Sequence, residues 1–168
     1  LDEPAQRLAQ KSGLQASDIA GLRELGICIN YNGYGPSLDD LHFHPDALYE
    51  SLLEAERRQA FLNSSTFRKL QQGYTQDLAA SAALKPVVEQ PAFAVYQLPN
   101  SSWARRVSGV FSNDLVRAYP ERAHAVLTER EDDSFLVSVR APFEQRSGAE
   151  TVWSQFETGG GRAAAAGM

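Results

Sequence analysis

One cysteine, one methionine and three histidines among 168 residues leave this chain short of the groups that a disulfide scaffold or a zinc module requires. Cys28 alone closes no internal disulfide and offers no paired spacing for zinc, which fits a reducing compartment. No segment approaches the about 18 apolar residues of a membrane span, and the first residues lack a signal peptide's basic and apolar pattern. The expected location is the cytoplasm, with no membrane partner. Positive charge is not in excess either: 16 Lys and Arg stand against 21 Asp and Glu, a net charge of −5. Neither half is a cationic footprint, which excludes a protein that grips long duplex nucleic acid through many phosphates. A short or single-stranded anionic ligand, held by a few focused groups, stays compatible. Repeats and heptad arrays are absent as well, and a run of alanines is the one low-complexity tract.

What is present is enough for an ordinary core, since 43% of the residues are hydrophobic. Residues 4–13 and 17–26 read as short helices, the first stopped by Gly13, the second capped by Ser17 with Asp18 in its first turn. Residues 27–29 form a brief buried strand and 30–36 a turn-rich loop. Pro45 suits the first turn of a helix running to about residue 61. Residues 66–84 make another helix, ended by Pro86. Then come a strand at 93–98, a helix at 102–119, a second strand at 123–129 and its hairpin partner at 134–142, turning at Glu131, Asp132 and Asp133. In the helix, Trp103, Val107, Val110, Phe111, Leu115 and Ala118 recur at three- and four-residue steps as a core stripe, with Arg105, Ser108, Ser112 and Asn113 off it. The fold class expected is α/β: a mixed β-sheet domain with flanking helices, preceded by a mainly helical linker segment.

Chemistry concentrates near the carboxyl end. Gly159, Gly160 and Gly161 precede Arg162 and four alanines, Ala163 to Ala166. Glycines leave the backbone uncovered so that consecutive amides converge on one oxyanion, and an alanine helix starting there would add its positive end. Arg162 would supply a planar fork for two parallel bonds to a phosphate. A plain glycine-rich loop, or a small-residue helix packed on a sheet, reads the same way. In the strand before it, Phe135, Val137, Val139 and Ala141 alternate with Leu136, Ser138 and Arg140, so Arg140 shares a face with Ser138 near the strand's end. A short helix at 150–156, carrying Val152, Trp153 and Phe156 inward, delivers the chain to the glycines.

A strand with Ser138-Val139-Arg140, a short loop and helix, then Gly159-Gly160-Gly161-Arg162 closing on Ala166-Gly167, resembles the C-terminal substrate-binding domain of DHH phosphoesterases. The likeness covers residues 92–168 and includes Val107 to Leu115, similar to the family's helix after its first strand. In the family the fourth motif residue is usually histidine. Arg162 keeps a permanent charge but cannot act as a neutral donor or proton carrier, so phosphate gripping survives the exchange and acid–base work does not.

The resemblance implies three parts: residues 1–44 as the end of a DHH catalytic domain, 45–90 as a helical linker, and 91–168 as the substrate-binding domain, cut at its C-terminus. The chain opens on Leu1 and closes on Met168 directly after the motif, so the natural protein is expected to be longer on both sides. It also implies an intact enzyme that hydrolyses phosphoester or phosphodiester bonds in small nucleotides or short single-stranded nucleic acids, using two divalent ions, Mn²⁺ by family usage, held upstream. This part would bind substrate without catalysing. The substrate-binding set is Ser138, Arg140, Gly159, Gly160, Gly161 and Arg162, with Arg105, Arg106 and Asn113 in second rank; it contains no catalytic residue and no metal ligand. Asn30 falls near the family's acidic metal ligand, and Asp39, Asp40, His42 and His44 form a cluster that could reach a metal or merely shape a polar loop. A non-enzymatic nucleotide-binding or regulatory module is the competing class, and homodimer formation stays open.

Overall fold

A computed structural model describes residues 3–55, 58–144 and 147–167, with the side chains of Arg58, Val152 and Trp153 outside the description. The chain divides into two compact units, Leu1–Thr75 and Gln76–Met168.

The first unit is helical: α1 (Glu3–Lys11), α2 (Ala16–Asn32), a 3₁₀ turn at Leu38–Asp40, α3 (Pro45–Glu54), α4 (Arg58–Leu62) and α5 (Ser65–Ala82), which continues into the second unit. Cys28, Leu48, Phe61, Phe67 and Leu70 form its core. The strand expected at 27–29 is instead the middle of α2. Leu25, Cys28 and Asn32 turn inward at three- and four-residue steps, a period that a three-residue apolar run cannot display alone. Gln15 rather than Ser17 caps that helix, its amide donating to the Asp18 carboxylate at 3.1 Å. The single helix expected from Pro45 to 61 is broken after Glu54, with Ala55 at ψ 88. A continuous helix would place Leu48 and Phe61 about 140° apart around its axis, and the break lets both face one core.

The second unit is a six-stranded mixed sheet in the order β1-β2-β3-β4-β6-β5. Its elements are β1 (Val88–Glu89), β2 (Phe93–Leu98), α6 (Ser102–Ala118), β3 (Ala123–Glu129), β4 (Phe135–Arg140), α7 (Ala149–Trp153), β5 (Gly160–Arg162) and β6 (Ala165–Gly167). This is the expected α/β class. β2 and β3 run parallel across the α6 crossover, and every other pair is antiparallel. Ala94, Tyr96, Leu98 and Val126 of the sheet pack against Ala104, Phe111 and Leu115 of α6. Tyr96 and Phe111 meet edge to face at 5.3 Å, the arrangement that ring quadrupoles prefer. Ser112, expected off the α6 core stripe, is fully buried, because its hydroxyl folds back on the Ser108 carbonyl at 2.7 Å.

The carboxyl end departs from expectation most. The alanines form no helix: Ala163 and Ala164 are the turn of a β5–β6 hairpin. Their carbonyls accept the amides of Ala149 and Ala141, each at 3.1 Å, which holds the turn without a left-handed residue. Gly161 is the conformationally constrained glycine, with φ 150 and a Cβ position only 2.4 Å from the Ala166 Cα. Gly160 has open space around it. α7 is shorter than the helix expected, and Phe156, expected inside, is 49% exposed. The inward roles given to Val152 and Trp153 lie outside the described residues.

Arg106 of α6 is tied into the fold rather than offered to a ligand, its Nε donating to the Asp77 carboxylate of α5 at 2.8 Å with both side chains nearly buried. Breaking such a pair leaves a charge stranded in low dielectric. Arg106→Ala is therefore expected to lower unfolding free energy by about 3–5 kcal/mol in urea titrations, and Asp77→Leu with Arg106→Met to recover most of it. A double variant as unstable as the single one would deny the pair its structural role.

Candidate anion-binding site

Pairing register decides which side chains meet. His124 on β3 stands opposite Arg140 on β4, Arg140 opposite Ala165 on β6, and Ala165 opposite Arg162 on β5. Residues opposed across a ladder share a face, so both arginines rise from the side of the sheet that α6 covers. Their backbones are two strand spacings apart, about 9.5 Å, with only the Ala165 methyl between them.

Arg140 is half-buried and braced entirely by neutral acceptors. Its Nη1 donates to Ser138 Oγ at 2.7 Å and to the Val139 carbonyl at 3.2 Å, and its Nε donates to Asn113 Oδ1 of α6 at 3.2 Å. Among the described residues it forms no ion pair. Burial, followed by the charge of Arg162, lowers the pKa of Arg140 from its ordinary value. Arg162 itself is exposed. Two cations on one face, with no carboxylate paired to either among the described residues, favour whatever anion can approach both.

An open pocket of about 230 Å³ adjoins Arg140, walled by Asn113, Val116 and Arg117 of α6, by Arg140, Ala141 and Phe143, and by Ala164 and Ala165 of the β5–β6 hairpin. That is smaller than the about 300–1,000 Å³ typical for whole drug-sized ligands, and suits a phosphate with part of its ester. Arg117 already carries Asp114 at 3.0 Å. The pocket lies by the amino ends of the parallel pair β2 and β3, because β4 runs the other way.

The structure thus brings Ser138, Arg140, Arg162 and Asn113 together. Gly160 and Gly161 share the hairpin with Arg162, while the Gly159 amide is engaged by the Phe156 carbonyl at 3.0 Å. With no helix following, a helix dipole adds nothing here. Arg105 stands at the opposite end of α6, donating to Asn100 Oδ1, and Arg106 points to Asp77; neither joins the cleft. In the helical unit, Asn30 donates to the Tyr34 hydroxyl at 2.6 Å. Asp40 accepts the Ser37 amide, His44 Nδ1 accepts the Asp46 amide at the start of α3, and His42 Nε2 meets the Tyr31 hydroxyl at 2.7 Å. Among the described residues no group of three His, Cys, Asp or Glu is placed to hold a metal ion.

Sequence reasoning did not single out Phe143, Arg117 or His124. In β3, His124 alternates inward with Val126 and Thr128, and Val126 packs against α6. His124 is 1% exposed, and neither ring nitrogen has a hydrogen-bond partner of ordinary geometry among the described residues. The Tyr119 ring lies 6.1 Å away and Arg140 is its cross-strand neighbour. Burial lowers its pKa, the Arg122 charge acts in the same direction, and the Arg122 backbone offsets part of this. The unfolded chain takes up this proton near pH 6.5 and the folded chain only below that. His124 therefore contributes stability that is complete above pH 6.5 and is lost as pH falls toward the folded value. Urea midpoints at about pH 7.5 and about pH 5 should differ in the wild type, and His124→Phe should narrow the gap. An undiminished gap in the variant would place the acid sensitivity elsewhere.

Among the described residues no helix is long and apolar enough to cross a membrane. No family model matches the sequence. No curated protein matches it either. Solved structures do match in fold. One is the pGpG-specific phosphodiesterase PggH from Vibrio cholerae, at a TM-score of 0.51 and 12% identity over 75% of this chain and 45% of that one. The likeness shows the fold, and the chain spans less than half of that protein's length.

Proposed function

We propose that this chain is the substrate-binding portion of a DHH-type phosphoesterase that hydrolyses phosphoester or phosphodiester bonds in small nucleotides or short single-stranded nucleic acids. The observation that carries the reading is the Arg140–Arg162 pair, two like charges on one face of the ladder, braced by Ser138 and Asn113 and facing no described carboxylate. Its support is the Ser-x-Arg and Gly-Gly-Gly-Arg resemblance together with a fold shared with a phosphodiesterase.

In this reading the chain contributes position. Arg140 is held by neutral acceptors before any ligand arrives, so little side-chain freedom is left to lose on binding. Arg162, exposed across the alanine gap, closes on the same phosphate from the β5 edge. A guanidinium supplies donors and charge but no acceptor, so both arginines bind and orient only. The Ser138 hydroxyl accepts from Arg140 and keeps its own hydrogen for an anionic oxygen. The divalent ions, manganese by the family resemblance, belong in this reading to a part of the catalytic domain other than residues 1–44. Residues 1–44, 45–90 and 91–168 then serve as catalytic-domain end, linker and substrate-binding domain, in a cytoplasmic protein.

Titration of the chain with pyrophosphate tests the reading. Arg140→Ala and Arg162→Ala should each weaken binding by about 1.5–3 kcal/mol, the range for a charged hydrogen bond. Arg105→Ala, a change at the other end of α6, should leave the affinity where it is. Equal affinity in the wild type and both cleft variants would remove the site.

A further inference from the structure

We propose that the helical unit carries a separate ligand site, an apolar cavity between α1 and α2 that takes an unbranched aliphatic carboxylate of about eight carbons with its head on Arg23. Every residue that lines it belongs to the first unit, and none of the phosphate-site residues takes part.

The local sequence builds the cavity. α1 stops on Gly13 at φ 65, and the Leu14 amide reaches back to the Ala9 carbonyl at 3.1 Å, a helix ending that brings the residue after the glycine against the last turn. Leu14 and Ala9 both line the cavity. Ala5, Leu8 and Ala9 recur on one face of α1, and Ile19, Leu22 and Arg23 on one face of α2, at three- and four-residue steps. The short alanine side chains leave a volume of about 260 Å³ open between Leu8, Leu14, Ile19 and Leu22. Leu8 is 66% exposed and Leu22 38%, so this apolar surface still meets water and gains from being covered.

Size and charge select the occupant. An apolar cavity of about 150 Å³ holds a six-carbon ring, so 260 Å³ has room for a chain of about eight carbons, and is too narrow for an α-helix about 10 Å across. Arg23 is exposed at this cavity and forms no ion pair among the described residues, whereas Arg7 of α1 is held by Glu3 at 2.9 Å. The carboxylates nearby in sequence are engaged, Asp18 accepting the Gln15 amide and Glu24 the Gln71 side-chain amide. A carboxylate head therefore has a cation to meet, and the Ser12 hydroxyl lines the same cavity as a neutral donor. A cationic head on the same chain would face Arg23 and be repelled.

The test titrates the chain with octanoate, hexanoate, 1-octanol and octylammonium, reading leucine and isoleucine methyl resonances by NMR, in the wild type, Arg23→Gln, Leu8→Gln and Ser12→Leu. With octanoate the methyls of Leu8, Leu14, Ile19 and Leu22 should shift along one saturation curve, while those of Leu48, in the core of the same unit, stay put. Two further methylenes should make octanoate about 10- to 20-fold tighter than hexanoate. Arg23→Gln should weaken octanoate about 2- to 5-fold, leave 1-octanol unchanged and abolish the preference for octanoate over octylammonium. Leu8→Gln, at a position exposed enough to accept it, and Ser12→Leu, which fills the cavity, should weaken octanoate and 1-octanol alike. No methyl shift with octanoate, or equal wild-type affinities for octanoate and octylammonium, would overturn the site. Methyl shifts that follow protein concentration and ignore octanoate would overturn it too, in favour of a second copy seated in the groove.

Discussion

Two guanidinium groups raised on the same face of one sheet, two strands apart and without a carboxylate among the described residues to neutralise them, are the constraint on which this account turns. Like charges so placed cost stability unless an anion completes them. The fold contains the means to pair arginines with acids, as Arg106 with Asp77 and Arg122 with Glu89 demonstrate. Arg140 is instead braced by a hydroxyl, an amide oxygen and a carbonyl, acceptors that orient a guanidinium without consuming its charge.

Small residues make that placement feasible. Gly161 lies against Ala166 and Gly167 against the Val137 carbonyl, each with no room for a Cβ, so three strands close into a ladder at the carboxyl end. Ala165 keeps the interval between the arginines empty. The glycines therefore act through close packing of backbones, and the positive charge comes from side chains alone. This differs from a phosphate nest, in which amides and a helix terminus hold the anion.

Much of the second unit was legible in its sequence because period-two and period-3.6 patterns are clean there. β2 and β3 coincide with the strands read at 93–98 and 123–129, and α6 differs by one residue at its end. The shared face of Ser138 and Arg140 followed from alternation, and register added Arg162 to it. Three things were not legible. A run of alanines favours helix by propensity, yet strand pairing with β4 overrode it at Ala165 and Ala166. The trio at 27–29 was too short to separate a strand from a buried helix turn. Partner choice was invisible as well: no local pattern told that Arg106 would meet Asp77 from 29 residues upstream, or that His124 would be buried with no hydrogen-bond partner of ordinary geometry among the described residues.

Arginine side-chain Nε resonances, followed by NMR as phosphate is added, interrogate the central claim most directly. The Arg140 and Arg162 signals should shift together along one saturation curve, while that of Arg106, held by Asp77, stays fixed. Movement of other arginines with Arg140 and Arg162 unmoved would contradict the account.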